Sequence, residues 1–238
     1  MRVAQQTNAN GRQHPLVPGR SATRDDDQVA RAEQHWGEVW HGRAPDEMSW
    51  YQAHPATSLE LIRSVSTPTS AVIDVGGGAS QVVDELLAAG YEDLTVLDVS
   101  DDALAAVRQR LGTDASRVEW VRADVLTHDL GRTFDVWHDR AVFHFLLEPD
   151  DRGRYVDALA GAIDPGGHAV IATFGPQGPT TCSGLPVQRY GRETLVEALG
   201  ERFELLVYLE EEHVTPAGVT QPFAYGLFAR RSASGSAP

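Results

Sequence analysis

The run Asp74-Val75-Gly76-Gly77-Gly78-Ala79-Ser80 sets a carboxylate at the mouth of three consecutive glycines, directly after an apolar stretch. Glycine permits a tight turn and lets a ligand lie against bare backbone. Asp98 and Asp124 close the next two apolar stretches, and each is followed by a valine, Val99 and Val125. This set suits a ligand with a cationic end, a sugar diol and a flat aromatic ring. Asp74 would face the cation, Asp98 would accept from both ribose hydroxyls, and Asp124 would accept from an adenine amino group. Val99 and Val125 would cover the ring. One acidic strand end is an ordinary solvated loop carboxylate, whereas three in succession behind a glycine loop form a pattern.

Two nucleoside cofactors compete for such a loop. A dinucleotide fingerprint wants a further glycine where this chain has Gln81. Asp74 would also repel a pyrophosphate, yet it suits the ammonium and sulfonium charges of S-adenosylmethionine. The residues therefore favour S-adenosylmethionine over NAD.

A second constellation follows the fourth apolar stretch, at Trp137-His138-Asp139-Arg140 and Phe143-His144-Phe145. Methyl transfer from a sulfonium is an in-line displacement that needs alignment and exclusion of water, and a base where the acceptor must lose a proton. His144 is the first candidate base, with His138 and Asp139 next. The competing reading of His144 is a hydrogen-bonded packing residue between two phenylalanines. Arg140 would pair with a substrate carboxylate, with the cofactor's own, or with Asp139 or Asp135. Upstream, Met48-Ser49-Trp50-Tyr51-Gln52 offers Trp50 and Tyr51 as a lid over the methionine end or as plain apolar cover. The loop from Gly175 to Tyr190, with Thr180, Thr181, Cys182, Ser183 and Gly184, is expected on the ligand side. Cys182 has no basic sequence neighbour and reads as an inert thiol more readily than a reactive one. His213 reads the same way, as a residue outside catalysis.

These residues need a scaffold of alternating strands and helices. Apolar stretches at Ala71–Val75, Leu94–Asp98, Val118–Arg122, Phe134–Trp137 and His168–Phe174 read as strands. Helical periodicity separates them: Val82, Val83, Leu86 and Leu87 up to Gly90; Leu104, Val107 and Leu111 after Asp101-Asp102; Tyr155, Val156, Leu159 and Ile163 before Pro165-Gly166-Gly167. The helix between the third and fourth strands is reduced to a loop. Alternation implies a doubly wound, mostly parallel α/β sheet with ligands at the carboxyl ends of its strands. After a helix near Arg192–Leu199, Phe203–Glu211 and Phe223–Arg230 have no helix between them and predict an antiparallel hairpin. Ahead of the sheet, an amphipathic helix from the acidic run Asp25-Asp26-Asp27, carrying Val29, Trp36, Val39 and Trp40, and a short helix near Thr57–Val65 form a cover over residues 24–66. Residues 1–23 and 231–238 read as disordered tails around one domain, 24–230.

The 238 residues hold one substantial core and carry a net charge of −14. So acidic a surface disfavours nucleic acid and anionic membranes and is compatible with a small molecule or a basic protein. No apolar run is long enough to span a bilayer, the start lacks the apolar core of a signal peptide, and the one cysteine forms no internal disulfide. A cytoplasmic setting is expected. No metal site is expected, because the histidines do not cluster with carboxylates at ligand spacing.

Taken together, VIDVGGGAS, LTVLDVS, RADVL and FDVWHDRAVFHFL resemble the successive motifs of class I S-adenosylmethionine-dependent methyltransferases. The resemblance implies a Rossmann-like seven-stranded sheet with a reversed last strand. It places Asp74, Gly76 and Gly78 at the methionine part, Asp98 at the ribose and Asp124 at the adenine. Gly77 departs from the family pattern, which usually has another residue there, and glycine should fit. Two subfamilies compete. HWGEVWHGRAPDEMSWYQ resembles the tryptophan-rich cover of thiopurine, thiol and halide methyltransferases, implying a small acceptor with a nucleophilic O, N or S. The Trp-aromatic pair and Asp139-Arg140-Ala141-Val142 resemble elongation-factor lysine methyltransferases, with arginine in place of lysine, implying a protein acceptor. A non-catalytic S-adenosylmethionine-binding subunit is the third reading. Absence of an Asn-Pro-Pro-aromatic or Asp-Pro-Pro-aromatic segment after the fourth strand argues against methylation of a nucleic-acid base.

Overall fold

The structure is a computed structural model and describes residues 22–78 and 80–232, with side chains from residue 29 onward. Most of the two predicted tails, residues 1–21 and 233–238, therefore lies outside the described residues. Five parallel strands build the centre: β1 (Ala71–Val75), β2 (Asp93–Asp98), β3 (Val118–Arg122), β4 (Phe134–Arg140) and β5 (Ile163–Phe174). A two-stranded hairpin, β6 (Thr181–Cys182) and β7 (Leu185–Pro186), stands apart. The last pair, β8 (Phe203–Val214) and β9 (Thr220–Arg230), completes a seven-stranded sheet of order β3-β2-β1-β4-β5-β9-β8. β9 runs antiparallel to both neighbours. The expected reversed strand is present, and chain order reverses between β1 and β4, where such sheets bind ligands.

Helices α1 (Ala22–Trp40), α2 (Ala56–Ser64), α3 (Val82–Ala88), α4 (Asp101–Leu111), α5 (Pro149–Ala162) and α6 (Arg192–Leu199) connect and cover the strands. α1 begins three residues ahead of the acidic run from which the sequence pattern starts it. Residues 123–133, between β3 and β4, contain no helix, as the pattern predicts. Pro165-Gly166-Gly167 lies inside β5, where β4 pairing jumps from Phe134↔Ile163 to Val136↔His168. The stop signal thus acts as a bulge at the start of a strand, not as a separate loop. The β6–β7 hairpin has only two residues on each side and leaves too short a pattern to read from sequence.

Strand alternation decides what each residue faces. Val72, Val96, Val136 and Val170 pack with α2, α3 and α4 on one side. Ile73, Leu97, Trp137 and Ile171 pack with α5 and α6 on the other. Asp74, His138 and Arg140 fall on the first side by this parity, and Asp139 falls on the second. None of the described helices is long and apolar enough to cross a membrane.

Candidate active site

The carboxyl ends of β1, β2, β3 and β4 border one cavity of about 340 Å³. Asp74, Gly76, Gly77, Gly78, Asp98, Val99, Asp124, Val125, His138, Arg140, Trp50 and Tyr51 all line it. The residues read as cofactor-binding, spread along the sequence from Trp50 to Arg140, thus converge on one space.

The glycine loop is shaped by contacts that leave no room for side chains. Gly76 has φ +64°, and a Cβ there would stand 2.0 Å from Val142 Cγ2. At Gly77 a Cβ would lie 2.8 Å from Val96 Cγ1 and 2.9 Å from Asp74 Oδ2. The middle glycine is therefore more than a tolerated departure from the family pattern, because this loop packs too closely on β1 and β2 for any other residue. The amides of Gly76 and Gly77 both donate to Leu97 O, which ties the loop to β2.

Asp74 is buried, with Oδ1 2.6 Å from His138 Nδ1, while Oδ2 is buried and has no hydrogen-bond partner. Such an orphaned carboxylate oxygen beside a glycine cradle fits an ammonium group. Asp98 accepts from the Ser100 amide at 2.8 Å, and burial pushes its carboxyl up to about 6 despite hydrogen bonds from the Ser100, Gly78 and Val99 backbone. Asp124 accepts from the Leu126 amide at 2.8 Å, which orients it at the end of β3.

The cover supplies a roof that the sequence reading only half anticipates. Trp36 and Trp40 of α1 line the cavity together with Trp50 and Phe145. Trp50 meets Trp36 and Trp40 edge-on, with ring centroids 6.1 and 5.9 Å apart, and Trp36 meets Phe145 at 5.2 Å. Trp36 and Trp40 were legible only as an apolar helical stripe. Their facing a ligand cavity depends on how α1 lies across the sheet. Gln52 also lines the cavity and donates to Glu211 Oε1 at 2.9 Å.

The three candidate catalytic residues separate. His138 lines the cavity, but both ring nitrogens are engaged, Nδ1 with Asp74 and Nε2 with Ser58 Oγ at 2.9 Å. Asp139 does not line the cavity. Strand parity turns it toward α5, where it accepts from the Tyr155 hydroxyl and from the amides of Val142 and Phe143. Burial raises its carboxyl to about 6, with those bonds opposing the shift. It caps the turn after β4, in which Ala141 takes a left-handed φ of 76°. His144 is also absent from the cavity lining. It is fully buried, accepts from the Phe174 amide through Nδ1 at 3.3 Å, and packs between Phe145 and Phe174. Burial, aided by the Arg140 charge, lowers its pKa to about 3. The packing reading of His144 replaces the base reading, because a ring sealed behind the wall cannot reach an acceptor proton.

Arg140 bonds neither Asp139 nor Asp135. Its Nε donates to Tyr225 OH and its Nη1 to Trp50 O, both at 2.9 Å, and its guanidinium lies 4.1 Å from the Phe223 ring centroid. Of the loop from Gly175 to Tyr190, only Cys182 reaches the cavity, where burial raises the thiol's pKa. His213 is buried outside this cavity and bonds Ser49 O at 2.7 Å. Among the described residues, no group of three or more His, Cys, Asp or Glu side chains could hold a metal ion.

Residues 72–167 match a family model described as a methyltransferase domain. Nodulation protein S of Rhizobium tropici is 29% identical over 151 residues, covering 63% of this chain and 59% of that protein. The eEF1A lysine and N-terminal methyltransferase of Mus musculus is 20% identical over 132 residues, 54% of this chain and 19% of that protein. The chain thus spans less than two thirds of these two curated relatives. Among solved structures, the N-methyltransferase NodS of Bradyrhizobium japonicum WM9, in complex with S-adenosyl-L-homocysteine, superimposes with a TM-score of 0.67 at 20% identity, covering 84% of this chain and 99% of that one. A Burkholderia thailandensis 1,6-didemethyltoxoflavin-N1-methyltransferase gives 0.64 at 19% identity, covering 92% and 94%. With the methyltransferase-domain match running from β1 into β5, and with the sheet order and the reversed β9, the chain has the fold of the class I S-adenosylmethionine-dependent methyltransferases.

Proposed function

We propose that this chain transfers the methyl group of S-adenosylmethionine to a nucleophilic O, N or S of a small molecule. The observation that carries the reading is the shared cavity: the cofactor cradle and an aromatic roof of Trp36, Trp40, Trp50 and Phe145 enclose one space. A roofed, mostly apolar space suits a small acceptor better than a protein surface. In this reading Asp74 Oδ2 holds the ammonium, Asp98 the ribose hydroxyls and Asp124 the adenine amino group, with Val99 and Val125 against the ring. When bound, the cofactor supplies an electrophilic methyl on a sulfonium.

The chain's own part is alignment and exclusion of water. His138 holds Asp74 in place, Asp139 fixes the turn beneath Arg140, and the tryptophans keep water from the methyl end. None of these steps needs His144 as a base. The likeness to the 1,6-didemethyltoxoflavin-N1-methyltransferase supports the reading, and the free thiol of Cys182 fits a cytoplasmic setting. Lysine methylation of a protein is the second reading. It is favoured by the match to the eEF1A lysine methyltransferase alone.

The test is calorimetric titration with S-adenosylhomocysteine, with NAD in parallel, followed by an acceptor screen with a labelled methyl donor. Binding of the first and not of NAD is expected. No S-adenosylhomocysteine binding by folded protein would refute the proposal. Label incorporated into protein but into no small molecule would transfer it to the lysine reading, and binding without any transfer would leave a non-catalytic subunit.

A further inference from the structure

Arg140 lines this cavity, as Arg31 and Arg154 do, and is a cation that the assignments above leave unused. Three contacts fix its guanidinium: Tyr225 OH on Nε, Trp50 O on Nη1, and the face of Phe223. Nη2 is buried and has no hydrogen-bond partner. No carboxylate of the described residues forms an ion pair with it. The nearest acid in its network, Glu211, accepts from the same Tyr225 hydroxyl at 3.4 Å. A guanidinium held this rigidly, with one edge unsatisfied, is organised for an oxyanion. Its presence inside a chain of net charge −14 sharpens the point, since the surrounding surface attracts cations.

Two carboxylates could meet Nη2, the cofactor's and the acceptor's, and position separates them. The cofactor's carboxylate shares a carbon with the ammonium, which the reading above places on Asp74. Between the Asp74 carboxylate and the Arg140 guanidinium stand three linked side chains, His138, Ser58 and Tyr225. The guanidinium lies over β9, which is separated from β1 by β4 and β5 in the sheet. In the cavity it neighbours Trp50, whose carbonyl it bonds, and Cys182, whose thiol feels its charge.

Resting on the methyltransferase reading, we infer that Arg140 receives a carboxylate of the methyl acceptor, so that the acceptors are small aromatic or apolar acids. The aromatic side chains beside it supply the apolar contact and Nη2 the charge.

The probes are benzoate and its neutral isostere benzamide, titrated by ligand-observed NMR into the chain with and without saturating S-adenosylhomocysteine. Benzoate is expected to bind at least fivefold more tightly than benzamide. In Arg140→Met that preference disappears, while S-adenosylhomocysteine affinity stays within threefold. Equal binding of the two probes by the native chain, or no benzoate binding, overturns the inference without any variant having to fold. A tenfold or greater loss of S-adenosylhomocysteine affinity in a folded Arg140→Met also overturns it, by giving the guanidinium to the cofactor. Failure of the native chain to bind S-adenosylhomocysteine is a separate result and falls on the methyltransferase reading, since the benzoate preference is measurable without it.

Discussion

Asp74 Oδ1 and His138 Nδ1 lie 2.6 Å apart in full burial, and this bond determines which aspartate oxygen is left for a ligand. The two residues are register partners on adjacent strands, Asp74 on β1 and His138 on β4. Removing the imidazole would let the carboxylate rotate away from the cavity. His138→Ala is expected to weaken S-adenosylhomocysteine binding at least fivefold. His138→Asn, whose side-chain amide can still donate to Oδ1, should recover part of the loss. Calorimetry on both variants checks it, and equal affinities in all three proteins would remove the positioning role.

Gly77→Ala tests the packing of the loop. The new methyl would fall 2.8 Å from Val96 Cγ1 and 2.9 Å from Asp74 Oδ2, closer than real contacts allow. Overpacking of this kind costs about 1–3 kcal/mol, and here the shift must also displace Asp74. The variant should unfold at lower urea and bind S-adenosylhomocysteine at least tenfold more weakly. Native-like values for both would mean the loop has slack that the packing does not show.

Asp98 gives the site a pH dependence with a definite sign. Burial lifts its carboxyl to about 6 from the ordinary 3.8, so between these values the folded chain holds a proton that the unfolded chain has released. Its contribution to stability is therefore present below pH 3.8 and lost as pH rises through about 6. Ribose hydroxyls donate to the ionised form, so ligand binding should release that proton. S-adenosylhomocysteine affinity is expected to rise about tenfold from pH 5 to pH 7, as a single group titrating near 6 requires. Asp98→Ala should weaken binding at least tenfold, and Asp98→Asn should flatten the pH dependence. A flat profile in the native chain would contradict the ribose assignment.

His144→Leu separates packing from catalysis. The substitution strips the buried Phe174 amide of its acceptor, which costs about 1–3 kcal/mol. Urea unfolding should show that loss, while the pH–rate profile of methyl transfer keeps its shape. A profile that loses an ionisation in the variant would return His144 to the chemistry.

Much of this was open to sequence reading because strand-end residues in a parallel sheet share one rim. The runs ending at Asp74 and Asp98 are apolar and nearly continuous, and the more polar strand before Asp124 repeats their layout, so their ends, and hence their meeting point, could be placed. The positions that misled are those where direction matters more than location. Asp139 lies between His138 and Arg140, yet the period of a strand turns it to the opposite face, onto Tyr155. His144 sits in a short 3₁₀ turn, Phe143–Phe145, whose inward orientation no periodicity announces. Trp36 and Trp40 carried a clear helical stripe, but their service as a roof arises from the path of α1 across the sheet. The tightness at Gly77 depends on Val96, a side chain on a neighbouring strand.

The placement of α1 bears on the timing of the enzyme. Trp40 closes over Gly78, 3.5 Å from where a Cβ would stand, and both tryptophans of the helix cover the cavity. Among the ties holding α1 down is the exposed Arg122–Glu33 ion pair at 2.8 Å, of a kind worth at most about 1 kcal/mol. On the methyltransferase reading, exchange of spent for fresh cofactor requires this roof to part, and parting breaks the aromatic contacts of Trp36 and Trp40 and their packing against the core. Residence of the demethylated product, more than the displacement itself, should then govern the steady state, with a pre-steady-state burst of one methyl per chain as its signature.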